Sequence, residues 1–408
     1  MFLRNTLPEY RQPLLPADAA TLSLAAADEV ERFLAHRDNH TPTPLVSLPG
    51  MATQLGLGMI QIKDEGQRLG LGSFKALGGS YAVIRLVLAA ASAELGREVD
   101  IADLQAPEVR AVARRMTFAC ATDGNHGRSV AMGAQLVGAT SAIFVHAGVS
   151  DERIAAIARY GARMIRVDGN YDESVREAAR VAGEQEWTIV SDTTWPGYER
   201  IPGLVMQGYM ALLREALREM AQPPTHVFVQ AGVGGIAATV AGHLALVHGD
   251  HRPTFVVVDP ARAACVVESA RAGQPVVVAE GEPTVMAMLE CYEPSLVAWR
   301  ILARAADAFM TVDEDDAIGA MQALAAPIVG DVAIVAGESG GVGFAALRKA
   351  VASPEIAAAL GLNSDSRVLL INTEGATDPA RYTELVGATP EQVRERNRAI
   401  GAVGGIRS

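Results

Sequence analysis

Short apolar, largely β-branched runs alternate from Phe118 onward with longer stretches in which apolar positions recur every three or four residues. The short runs are SAIFVH, RMIRV, WTIVSD, HVFVQ, TFVVVDP and RVLLINT, and the longer stretches close on glycines such as Gly138, Gly161 and Gly183. Strand runs separated by helical patterns of about 10 to 15 residues are βαβ units, in which parallel sheet is covered by helices. The predicted class is α/β. Helix signals are local: Ser150 is placed to cap DERIAAIARYG, with acids in the first turn and Gly161 just past the end. Leu77, Tyr81, Ile84 and Leu88 recur on one helical face that begins at Lys75. A lysine at that end opposes the helix macrodipole, so a purely solvated role suits it poorly.

With 408 residues and an apolar fraction of 50%, the chain can bury more than one core. Polar and turn-rich stretches near 88–105 and 194–204 suggest residues 1–88 and 204–408 as a large domain and 89–203 as a small one. The net charge of -12 carries no basic stripe, which excludes the electrostatic footprint of a nucleic-acid binder. The N-terminal stretch meets acidic residues and prolines before any signal-type apolar core. No later stretch offers 18 uninterrupted apolar residues, so the expectation is a cytoplasmic protein with no membrane partner. Cys120, Cys265 and Cys291 are too few and too scattered for a disulfide framework or a zinc site, and buried thiols are expected.

The segment HVFVQAGVGGIAATVAGHLALV reads as strand, glycines, helix, the arrangement that aims backbone N–H groups and a positive helix end at a phosphate. Taken literally, Gly232-Val-Gly-Gly-Ile-Ala237 also fits a dinucleotide fingerprint, with Asp259 at the end of the next strand as a ribose partner. An NAD-dependent dehydrogenase and a purely structural turn are therefore alternatives. Neither explains Lys75. A lysine able to form a Schiff base, together with a glycine-rich phosphate cup, is the minimum apparatus for pyridoxal phosphate.

The order of motifs resembles the tryptophan-synthase-β and threonine-dehydratase group, pyridoxal-phosphate enzymes of fold type II. The matching pieces are TPTPL at 41–45, IKDE at 62–65, SFK at 73–75, GNHG at 124–127, AGVGG at 231–235 and NTEG at 372–375. The resemblance implies two domains, each with a mostly parallel sheet, and a cofactor in the cleft between them. It assigns Lys75 the Schiff base. Thr122, Asp123, Gly124, Asn125 and His126 would grip the substrate, with Asn125 bonding the cofactor's phenolic oxygen. Gly232, Val233, Gly234 and Gly235 would cup the phosphate, and Thr373 would face the pyridine nitrogen. A neutral hydroxyl there would not hold that nitrogen protonated, so the electron sink is mild and suits β-elimination.

Two features narrow the substrate. Relatives acting on serine or threonine usually carry a small or hydroxyl residue where this chain has Asp123, and a carboxylate in a loop that grips another carboxylate is costly without a nearby cation. The second is VSDTTWPGYERIP, in which Asp192 closes a predicted strand. Alone, Asp192 reads as a turn or capping residue. Together, ATDGNHGR, SDTTWPGY, IPGLVMQGY and AGESGGVGF resemble the diaminopropionate ammonia-lyase family, whose substrate carries a second amino group on its β carbon. That resemblance implies α,β-elimination of 2,3-diaminopropionate to pyruvate and ammonia by a carbon–nitrogen lyase. Lys75 would take the Cα proton of the L isomer and Asp123 that of the D isomer, with Asp192 as the second acidic group of the site.

Serine or threonine dehydration on the same fold is the nearest rival chemistry. Family habit implies a homodimer. No metal is expected: His36 and His40 lie four apart but lack a third ligand or a catalytic glutamate. Cys265 and Cys291 flank a segment rich in glycine and valine; if it folds back, the thiols could come within disulfide range, although a cytosolic redox poise disfavours the bond.

Overall fold

The structure, a computed structural model, describes residues 1–37, 40–122 and 124–404. Its strands are β1 (Phe2–Arg4), β2 (Leu45–Ser47), β3 (Met59–Asp64), β4 (Thr117–Ala121), β5 (Thr140–His146), β6 (Arg163–Val167), β7 (Thr188–Ile189), β8 (His226–Gln230), β9 (Thr254–Pro260), β10 (Ala308–Val312) and β11 (Arg367–Asn372). The chain forms two compact units. The larger takes Met1–Leu24, Pro42–Phe74 and Leu212–Ser408, and the smaller takes Ala25–Thr41 and Lys75–Ala211.

The larger unit holds a seven-stranded sheet in the order β1-β10-β9-β8-β11-β3-β2. The five inner strands run parallel, and β1 and β2 are antiparallel edges. All residues of β8 and β10 are buried, as expected of strands covered by helices on both faces. Phe228, Val256, Val258, Met310, Phe344, Val368 and Leu370 lie in its main core.

The smaller unit is a four-stranded parallel sheet, β6-β5-β4-β7. Its longest helix, Lys75–Leu95, buries Leu77, Tyr81, Ile84 and Leu88, the face read from the sequence. That helix is long and apolar enough to cross a membrane, but 72% of its most apolar stretch is buried inside the protein, as in a core helix. Glycines let its neighbours come close: a Cβ on Gly133 would sit 2.7 Å from the Ser80 Cα. Phe33 meets Tyr81 edge-on at 4.9 Å between ring centroids. These contacts group all of Lys75–Leu95 with residues 25–41, whereas the sequence expectation placed a crossing after residue 88.

Candidate active site

Lys75 is the first residue of its helix. The preceding residue is fixed by backbone pairing in the larger unit, where the Phe74 N–H donates to the Thr373 carbonyl at 3.0 Å. In the smaller unit the Lys75 Nζ forms an ion pair with Asp192 Oδ2, each side chain about a quarter exposed. Of the predicted WTIVSD strand, only Thr188 and Ile189 pair with β4, because the chain then turns. The Tyr198 hydroxyl holds that turn, donating to the Ile189 carbonyl at 2.8 Å and accepting from the Ser191 N–H at 3.0 Å. Trp195 stacks on the Tyr198 ring at 4.0 Å. Asp192 is thus presented from a braced turn. Burial would raise its pKa, but the charge and hydrogen bond of Lys75 outweigh burial and hold the carboxyl well below the usual range.

Gly124 leads into helix Asn125–Val137. Thr122 Oγ1 accepts from the Gly124 N–H at 3.3 Å, and Arg128 donates to Asn125 Oδ1 at 3.3 Å, so the donor side of that amide is Nδ2. His126 is buried, with Nε2 2.8 Å from the Val190 carbonyl. A carbonyl only accepts, so Nε2 carries the proton of the neutral ring. Nδ1 is buried without a hydrogen-bond partner among the described residues and lies 4.0 Å from Asp192 Oδ2. Burial lowers the imidazole pKa, the Asp192 charge opposes that and the Lys75 charge reinforces it; the net shift is downward, favouring a neutral ring. Asp123, expected as the D-isomer base, lies outside the described residues.

The larger unit carries the glycine loop and Thr373. Gly232 and Gly234 have φ of +59° and +101°, in the region that favours glycine, and the 14-residue helix Gly235–His248 follows. A Cβ on Gly234 would lie 2.9 Å from the Ala298 Cβ. The first N–H groups of a helix have no intrahelical acceptor, so this bare-backbone cradle fits a phosphate. Cys265 and Cys291 both flank it: the Cys265 thiol donates to the Gly232 carbonyl at 3.6 Å, and the Cys291 sulfur lies 3.6 Å from where a Gly232 Cβ would be. Among the described residues neither cysteine forms a disulfide. Thr373 follows β11 directly and is buried.

Asp259, the ribose partner of the dehydrogenase alternative, is fully buried and accepts from the Val266 and Val267 N–H groups at 2.9 Å. It caps the helix Cys265–Ala272. TPTPL and IKDE also do something other than chemistry. Thr43, Lys63 and Glu65 join Arg68 and Glu215 in a buried network, with Arg68 2.7 Å from Glu65 and 2.6 Å from Glu215, and Lys63 2.8 Å from Glu215.

Two polar residues beside these groups were missed in the sequence. The Tyr209 ring packs against Gly78, one turn beyond Lys75, with a ring carbon 2.4 Å from where a Cβ would be. Its phenol is pushed well up by burial, with Lys75 opposing and Asp192 reinforcing. Gln230, fully buried, donates to Thr373 Oγ1 at 2.9 Å. A polar residue directly after the apolar VFV of HVFVQ was the available signal for the latter.

The parallel sheets, lysine and phosphate cradle define a pyridoxal-phosphate enzyme of fold type II, and the family model described as "Pyridoxal-phosphate dependent enzyme" matches residues 36–374. The diaminopropionate ammonia-lyase of Escherichia coli strain K12 is 40% identical over 354 residues, 85% of this chain and 87% of its own. Two crystal structures of the E. coli enzyme each cover 95% of this chain and 96% of their own. One, in complex with an aminoacrylate–PLP azomethine reaction intermediate, matches with a TM-score of 0.83 at 36% identity. Another, in complex with D-serine, gives 0.84 at 35%. Within its class, the chain belongs to the diaminopropionate ammonia-lyase family.

Proposed function

We propose that this chain carries out α,β-elimination of 2,3-diaminopropionate, releasing pyruvate and ammonia, with Lys75, Asp123 and Asp192 as its catalytic residues. The observation that carries this reading is the ion pair between Lys75 and a carboxylate held ionised. A hydroxyl leaving group would need no such anion, whereas a β-ammonium does. Asp192 keeps a cation beside it, first Lys75 and then the substrate's β-amino group, which must stay protonated to leave as ammonia.

Pyridoxal phosphate, when bound, accepts the electron pair left at Cα. Lys75 would hold its aldehyde carbon, Gly232, Val233, Gly234 and Gly235 its phosphate, Asn125 its phenolic oxygen and Thr373 its ring nitrogen. Thr122, Gly124 and the loop N–H groups would orient the substrate carboxylate. Lys75 removes the Cα proton of the L isomer and Asp123 that of the D isomer, and such positioned proton transfer contributes about 10²- to 10⁴-fold. His126, neutral and fixed through Nε2, offers Nδ1 as an acceptor beside Asp192. The three-carbon enamine that leaves hydrolyses to pyruvate and a second ammonia.

In this reading the larger unit would hold the cofactor's phosphate and ring nitrogen, and the smaller one, which carries Lys75 and Asn125, its aldehyde carbon and phenolic oxygen together with the substrate. Family habit supports a homodimer, which light scattering would test. Three scattered cysteines, none in a disulfide among the described residues, support a cytoplasmic location. The deciding assay compares pyruvate release from D- and L-diaminopropionate with that from D- and L-serine. Turnover of diaminopropionate well above serine is expected, and the reverse order would replace this reading by a serine dehydratase.

A further inference from the structure

Gln230 ends β8, and β11 runs beside it with Leu370 opposite Phe228, so the Gln230 side chain meets the backbone that follows β11. Its Nε2 lies 2.7 Å from the Gly340 carbonyl, 3.0 Å from that of Ser339, 3.3 Å from that of Ile371 and 2.9 Å from Thr373 Oγ1. Three of these partners are carbonyls and can only accept, which fixes the orientation of the amide. Oε1 is buried with no hydrogen-bond partner among the described residues. The group is therefore held wholly by its donor side.

Thr373 Oγ1 accepts from that amide, which commits one of its lone pairs. Its own proton is directed at the Ser339 carbonyl over a long 3.3 Å, an acceptor that Gln230 occupies at shorter range. Donation into a hydroxyl oxygen polarises its O–H bond, making it a better donor and a poorer acceptor. We propose that Gln230 is a positioning residue that sets Thr373 as hydrogen-bond donor to the pyridine nitrogen and so keeps that nitrogen unprotonated. This rests on the reading that Thr373 faces the ring nitrogen. Without the amide, the hydroxyl would turn its proton to the vacated Ser339 carbonyl and offer a lone pair, which favours a pyridinium N–H.

The test is the ¹⁵N resonance of the ring nitrogen in holoenzyme loaded with ¹⁵N-labelled pyridoxal phosphate, followed against pH in wild type, Gln230→Met, Thr373→Ser and Thr373→Val. Wild type and Thr373→Ser are expected at the unprotonated, hydrogen-bonded position at every pH at which the protein is folded. Gln230→Met is expected to move upfield, towards pyridinium, at pH values where wild type does not. A shift in Thr373→Val with none in Gln230→Met would overturn the role of Gln230 alone. No shift in Thr373→Val would overturn the underlying placement of Thr373. Should Gln230→Met fail to fold, the wild-type resonance still decides, since a pyridinium signal there contradicts the proposal.

Discussion

Lys75 opens its helix, where the macrodipole is unfavourable to a cation, and the structure places an ionised carboxylate against it. The depressed Asp192 pKa means that the pair's contribution is intact above the ordinary carboxylate range and is lost only as pH falls through the folded value, in strong acid. Elimination near neutrality should therefore show no titration from Asp192. Replacing Lys75 by Ala is expected to abolish turnover of both enantiomers and remove the site at which borohydride fixes the cofactor, as read by mass spectrometry. Asp123→Asn should lose mainly the D-isomer reaction; equal losses on both isomers in steady-state assays would sink the two-base assignment. Lys75 was legible because an amine at a helix start has few other uses. The accompanying His126 Nδ1 was not, since only folding brings Val190 and Asp192 around the ring.

At the level of elements, the glycine loop works by lacking side chains. Alanine at position 234 would face both a φ of +101° and a 2.9 Å contact with the Ala298 Cβ. Strain of about 1–2 kcal/mol for that backbone corresponds to cofactor binding weakened by roughly 5- to 30-fold. Fluorescence titration of the apo form of Gly234→Ala with pyridoxal phosphate measures it, and unchanged affinity would remove the loop from the phosphate site. β5, β6, β8, β9 and β11 were readable as apolar runs bounded by turns. The three-residue edges β1 and β2 offer too few positions for any period, and WTIVSD overran because Tyr198 turns the chain after Ile189. The motifs were legible as a set while their tasks were not: Lys63 and Glu65 resemble site residues in sequence, yet they neutralise the buried Arg68 and Glu215.

Across the whole molecule, one buried acid couples stability to pH. Asp259 is pushed up to about 7 by burial, with the two N–H groups it caps opposing that shift. Its folded pKa lies above the unfolded value, so the native state holds the extra proton between them. Stability from this group is fully present below the unfolded value of 3.8 and is lost progressively as pH rises from there through about 7. Asp259→Asn, which keeps a capping oxygen, should flatten that slope in urea unfolding between mildly acidic and mildly alkaline buffers. An identical slope in wild type and variant would show that Asp259 is ionised throughout.

The sheet order also sets a sequence of events during synthesis. β11 sits between β8 and β3, yet it is the last strand to be made. The smaller unit has all its residues once Ala211 has emerged, whereas the larger sheet stays split until residue 372 arrives. At ribosomal rates of about 5–20 residues per second, that interval is on the order of ten to thirty seconds. A nascent chain therefore holds Lys75 and Asp192 well before Thr373 exists, and the unsealed edges of β8 and β3 are where a stalled chain would be exposed to chaperones or to aggregation.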